Sequence, residues 1–144
     1  MIYDALDIAT YVVKRCYENN TTVSNLKLQK MLYFLQAEFL VSKNEMCFRQ
    51  EIVAWTFGPV VPDVYRKYKI YGGAAIPYLE NNRIINLSED DKTIIDRIVE
   101  ICSKYSASDL MEITHKQKPW IDAYSQGDGT EIPLKSVKIF FEKG

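Results

Sequence analysis

The chain is expected to adopt a mainly α, compact single-domain helical fold over residues 1–144, with a small β-hairpin or short β-sheet element. Three observations carry that expectation. Most apolar residues recur at helical spacing. Ser, Asp and Pro stand where helices begin, and Gly or Asn stand where they end. One short run, Ile52-Val53-Ala54-Trp55, is rich in strand formers and lies before a Gly-Pro turn. A length of 144 residues suits one domain, in which folding buries roughly 70% of the unfolded chain's surface.

The elements follow in order. Ile8, Ala9, Val12, Val13 and Cys16 share one face of a helix from Asp4 to about Glu18. Asp4 and Asp7 suit the positive end of its dipole, Lys14 and Arg15 the negative end. Ser24 is the N-cap of a second helix, Asn25 to about Ser42. Leu28, Met31, Leu32, Leu35 and Phe39 make one of its faces, and Tyr33, Phe34, Ala37, Leu40 and Val41 make much of the rest. A helix apolar on so many sides belongs at the centre of a core. The strand run is expected to end at Gly58-Pro59. Pro62 then opens a helix to about Tyr71, stopped by Gly72-Gly73. Tyr78 to Ile85 suggests a small hairpin turning at Asn81-Asn82. Ser88-x-x-Asp91 and Ser106-x-x-Asp109 resemble capping boxes, opening helices to about Tyr105 and about Lys116. Pro119 restarts a short helix through Tyr124. Gly127-Asp128-Gly129 is a loop, and a last helix runs from Pro133 to about Phe141.

Composition narrows the function classes. With 47% hydrophobic residues the chain is not of the disordered class, and a net charge of -1 gives no global bias toward nucleic acid or anionic membrane. Cys16, Cys47 and Cys102 are an odd set without Cys-x-x-Cys spacing, which argues against a disulfide framework and a zinc site and favours a reducing cytoplasm. No basic region followed by an apolar run opens the chain, and no apolar run approaches the ~20 residues needed to span a bilayer.

Groups able to do chemistry are few. His115 is the only histidine, and no acids share a recognisable ligand spacing with it, so no metal or cofactor is expected. As a general base it needs a nucleophile and an orienting group, and no Gly-x-Ser-x-Gly elbow is present. A Cys–His pair drawn from Cys47 or Cys102 stays open. The plainer expectation is that His115 closes its helix and hydrogen-bonds a backbone carbonyl near Trp120. Gly72-Gly73 and Gly127-Asp128-Gly129 match neither a P-loop nor a dinucleotide fingerprint. Tyr65-Arg66-Lys67-Tyr68-Lys69-Ile70-Tyr71 interleaves aromatics with bases. At helical spacing the tyrosines share one side, and a solvated basic face explains the rest. Without a recognition motif, nucleic-acid binding ranks below protein binding.

The most distinctive segment is Trp55-Thr56-Phe57-Gly58-Pro59-Val60-Val61-Pro62-Asp63-Val64-Tyr65, answered later by Thr114-His115 and Pro119-Trp120. It combines large aromatics with glycine and proline in one short bend. That composition fixes backbone and offers little chemistry, which favours a shaped binding surface over a catalytic one. Trp and Tyr are also the residues that dominate protein-interface hot spots.

Leu26-Lys27-Leu28-Gln29-Lys30-Met31-Leu32-Tyr33-Phe34-Leu35-Gln36-Ala37 precedes this bend. Lys69-x-Tyr71-Gly72 follows it, and then Ser106-Ala107-x-x-Leu110-x-x-x-Thr114-His115-x-x-x-Pro119-Trp120-x-x-Ala123-Tyr124. Together these runs resemble the Panacea domain of SocA-like antitoxins and phage-associated GepA-type proteins. The resemblance implies a bacterial or prophage-encoded cytoplasmic antitoxin that is not an enzyme. Its partner would be a cognate toxin protein encoded beside it, neutralised by direct binding. It also implies a lesser alternative, an adaptor that delivers the toxin to a protease; a nucleic-acid-binding phage regulator ranks lower still. The positions carried over as family-defining or partner-binding are Gln29, Tyr33, Trp55, Gly58, Pro59, Tyr65, His115 and Trp120. Phe57 departs from the pattern, standing where tyrosine is common. The sequence also closes at Gly144 with no fused accessory segment, leaving the partner contact to the domain itself.

Overall fold

The second helix is the axis around which the chain folds. A computed structural model describes residues 2–79 and 85–143. In it, Ser24 caps α2 (Asn25–Lys43) by accepting a hydrogen bond from Lys27 N, and Asn44 in the left-handed region at φ 54° ends it. α2 has no polar face. Leu28, Met31, Leu32, Tyr33, Leu35, Ala37 and Phe39 are buried, and so are Asn25, Gln29, Lys30 and Gln36. Every polar group on such a helix needs a protein partner. Gln36 shows the consequence: its Oε1 accepts from Cys47 N at 2.7 Å while its Nε2 donates to Phe48 O at 2.9 Å, fastening the following loop to the helix.

The other helices pack around this axis. They are α1 (Ala5–Glu18), α3 (Pro62–Tyr68), α4 (Glu89–Ser103), α5 (Ala107–His115), α6 (Lys118–Tyr124) and α7 (Leu134–Lys143), and a short 3-10 turn Lys69–Tyr71 extends α3. Of these, α1, α3, α4, α5 and α7 touch α2 directly. Asp4 caps α1, and Pro62 occupies the first turn of α3. Ser106 and Asp109 form the expected capping box on α5. Ser88 makes only half of one. It accepts from Asp91 N, but the buried Asp91 carboxylate turns away to accept from Tyr3 OH and Lys43 Nζ. Burial works to raise the Asp91 carboxyl, and the hydrogen bonds from Lys43, Tyr3 and Ser88 outweigh it, holding it below the usual carboxylate range. α4 ends at Ser103, two residues earlier than the apolar pattern suggested.

The β element differs from expectation in two places. Gly58-Pro59 does not end the strand but begins the next one. β1 (Val53–Trp55) and β2 (Gly58–Val60) pair antiparallel with Trp55 opposite Gly58, so Thr56-Phe57 is a two-residue hairpin loop. Neither loop residue has a positive φ; that conformation falls on Gly58, at φ 110°. The second difference is β3 (Thr130–Glu131), which pairs antiparallel with β1 to give the order β2-β1-β3. Gly129 N donates to Ala54 O at 2.7 Å, and Ile132 N donates to Ile52 O at 2.8 Å. At two residues β3 is too short to show alternation. The hairpin expected at Asn81-Asn82 lies outside the described residues.

Candidate partner-binding site

Four side chains from the first half of α2 face the hairpin, the start of α3 and the α5–α6 junction. Gln29 Oε1 accepts from Val61 N at 2.9 Å, and its Nε2 donates to Asn25 Oδ1 at 2.9 Å. Asn25 Nδ2 in turn donates to Tyr65 O at 3.1 Å. Lys30 Nζ donates to Pro59 O at 3.0 Å. Tyr33 OH donates to Gln117 Oε1 at 2.7 Å, joining α2 to the turn between α5 and α6. From the other side, Trp120 Nε1 donates to Trp55 O at 2.9 Å. The main chain of Trp55, Pro59, Val61 and Tyr65 is therefore pinned at four points, each by a side chain from α2 or α6.

Gly58 is what lets the hairpin come so close. A Cβ there would sit 2.8 Å from Lys30 Cε and 3.1 Å from Thr114 Oγ1, and the φ of 110° is one that only glycine adopts without strain. Pro59 lacks an N–H, which is tolerated because β2 is the edge strand of its sheet.

Outside this brace stands an aromatic tip. Thr56 is exposed, and Trp55, Phe57 and Tyr65 are half-buried. Their rings pack edge to face, 5.7 Å between Trp55 and Phe57 and 5.0 Å between Trp55 and Tyr65. A pocket of about 250 Å³ opens beside them, lined by Asn25, Leu26, Phe57, Tyr65, Lys69 and Gly72. In the 3-10 turn after α3, Ile70 is 82% exposed, the most exposed of the large apolar residues described. Preordered aromatics at the mouth of a pocket are the geometry of an interface anchor.

His115, Trp120 and Tyr124 form a ring ladder behind the tip. His115 and Trp120 centroids are 4.3 Å apart, Trp120 and Tyr124 stack at 4.7 Å and 12°, and Tyr124 OH lies 3.2 Å from Thr56 Oγ1. The expected bond from His115 to a carbonyl is not what holds the ring. Its Nε2 is buried with no hydrogen-bond partner among the described residues, and the ring packs against Trp120 at a 36° tilt instead. The neighbouring Thr114 hydroxyl donates to Met111 O at 2.9 Å, so it is not aimed at His115. All three cysteines are buried free thiols, and burial pushes each up, Cys102 to about 11, away from thiolate chemistry.

The structure thus brings together all eight positions singled out from the sequence: Gln29, Tyr33, Trp55, Gly58, Pro59, Tyr65, His115 and Trp120. Sequence reasoning passed over Gln117, and it quoted Lys30 and Thr114 in the motif runs without carrying them into the site. Charge alone gave no signal for Lys30, because Lys27 and Glu38 on the same helix are only half-buried. In the Tyr65–Tyr71 run Tyr68 is buried, and Arg66 pairs with Asp63 in an exposed ion pair. Among the described residues no three His, Cys, Asp or Glu side chains cluster to hold a metal ion, and no helix is long and apolar enough to cross a membrane.

Comparison with known proteins found a family match and a relative. The family described as antitoxin SocA-like, Panacea domain, matches residues 28–121. Those bounds run from the buried face of α2 to the Trp120 contact with the hairpin. The chain is also 34% identical over 142 residues to Antitoxin SocA of Caulobacter vibrioides (strain NA1000 / CB15N), covering 91% of this chain and 75% of that protein. No solved structure matches.

Proposed function

Because this chain belongs to the SocA-like antitoxin family of Panacea domains, we propose that it neutralises a cognate protein toxin by binding it directly through the Trp55–Phe57–Tyr65 tip. One observation carries the reading. Gln29, Lys30 and Trp120 each turn a polar atom inward to hold main chain, and what faces solvent above them is an ordered aromatic edge beside a pocket.

The mechanism is masking. An interface of ordinary size, about 800 Å² on each partner, covers the toxin surface that acts on its target. Rigid aromatics lose little side-chain freedom on docking, and the brace removes the need to order the hairpin during binding. No reaction is required of this chain, and its one histidine packs against Trp120 within the brace.

The test is co-expression. A toxin encoded beside this gene arrests growth alone, is tolerated with the parent antitoxin, and co-purifies with it. With Phe57→Ala or Tyr65→Ala, protection and co-purification are lost together while the antitoxin stays folded. Protection unaltered by both variants rules out the tip as the docking site, and a neighbouring product harmless on its own rules out the pairing.

A further inference from the structure

We propose that Lys30 is a positioning residue for partner capture: its buried amine fixes the Thr56-Phe57 tip in its docking shape at a cost in fold stability. The proposal rests on the reading of that tip as the docking site. Lys30 is 0% exposed on the central helix. From the hairpin it faces the Pro59 carbonyl at 3.0 Å, the Gly58 backbone, and the Phe57 ring, whose centroid lies 5.6 Å from Nζ. From α5 the Thr114 hydroxyl crowds the same glycine. None of these groups titrates. Burial alone pushes the amine down to about 7, with no charged neighbour contributing.

Packing does not explain a lysine here. Methionine or leucine would fill the same space in a helix buried on all sides and would need no desolvated amine. What the amine adds is a donor for the buried Pro59 carbonyl on an edge strand and a contact beneath the Phe57 ring. Both partners lie in the segment running from the loop into β2, at or beside the tip. The Gly58 Cβ position, 2.8 Å from Lys30 Cε, shows how closely hairpin and stem are fitted.

The destabilisation has a defined pH window. The unfolded chain keeps this amine near 10.5, the folded chain near 7, so the unfolded state binds more protons between those values. Folding is therefore penalised fully below about pH 7, and the penalty is relieved as pH rises toward 10.5. The same linkage governs any local opening of the hairpin that admits water to the amine.

Lys30→Met separates positioning from simple support. Hydrogen exchange of the hairpin amides is measured together with thermal unfolding at pH 7. The variant should melt higher than the parent, while the Gly58 to Val61 amides exchange about tenfold faster. Its melting temperature should also lose the rise the parent shows above pH 7. A residue that merely supports the fold would give a lower melting temperature and faster exchange throughout, and that result overturns the proposal. So does a hairpin as protected as the parent's. Should the variant fail to fold, the parent alone decides. Its hairpin protection, corrected for intrinsic rates, must climb from pH 7 to about 9, and a flat profile overturns the idea. These outcomes are independent of the toxin. If Phe57→Ala leaves capture unchanged, the docking-site reading fails while the Lys30 measurements stand on their own.

Discussion

The hairpin and the groove between α6 and α7 make opposite kinds of surface. The groove is the larger hollow, about 430 Å³, and it is mostly apolar, with Pro119, Ile139 and Phe140 in its wall and Lys118 and Lys143 at its rim. The pocket beside the hairpin is about 250 Å³. Size alone would favour the groove. Yet the ion pair at its wall, Lys118 with Asp122, is exposed on both sides and holds little in place. Behind the hairpin, four side-chain hydrogen bonds pin four main-chain groups. Removing the Asn25, Gln29 or Trp120 partner leaves a buried main-chain group unsatisfied, which makes that network expensive to disturb and specific in shape, whereas at Lys30 the desolvated amine offsets that cost. The comparison teaches that preorganisation, rather than hollow volume, distinguishes the surface proposed for docking.

Breaking the brace tests the comparison hardest. Gly58→Val forces a β-branched side chain into φ 110° and into Lys30 Cε and Thr114 Oγ1. It should cost about 3 kcal/mol in denaturant unfolding, from strain and overpacking together. Gln29→Leu keeps the volume and strands Val61 N, and should cost about 2 kcal/mol with a matching loss of toxin capture. Trp120→Phe removes the donor to Trp55 O and thins the ring ladder, a loss of about 1 kcal/mol in the same experiment. Ile139→Ser in the groove is the smallest change. Ile139 is already exposed, so stability should shift by less than about 0.5 kcal/mol and toxin capture should be untouched. A groove variant that abolished capture while Gln29→Leu spared it would reverse the comparison.

Helices with strong periodicity and caps were legible in the sequence. The residues Ile8 to Cys16 and Leu28 to Phe39 announce α1 and α2, and Ser24, Ser106 and Pro62 mark where helices begin. Short and long-range features were not. β3 spans two residues and exists because Gly129 N and Ile132 N reach β1 from 75 or more positions away in sequence. Gly58-Pro59 signals a turn locally, but Gly58 supplies its positive φ just after the loop, so the pair opens a strand. The half-made box at Ser88 has the same origin, since Asp91 answers to Tyr3 and Lys43, which are distant in sequence. For the site, the eight positions came from the family resemblance. It did not separate the ones that brace, such as Gln29 and Trp120, from the ones that face outward, because that division depends on which atoms find partners across the fold.

The central claim is that the buried motif residues brace a tip whose aromatic edge does the binding. It is tested most directly by the affinity of Phe57→Ala for the toxin, measured beside its thermal stability. The account predicts affinity weaker by tenfold or more, as for an interface anchor, with a stability loss of only about 1 kcal/mol. Affinity equal to the parent's in a folded variant would contradict it and move the docking surface away from the hairpin.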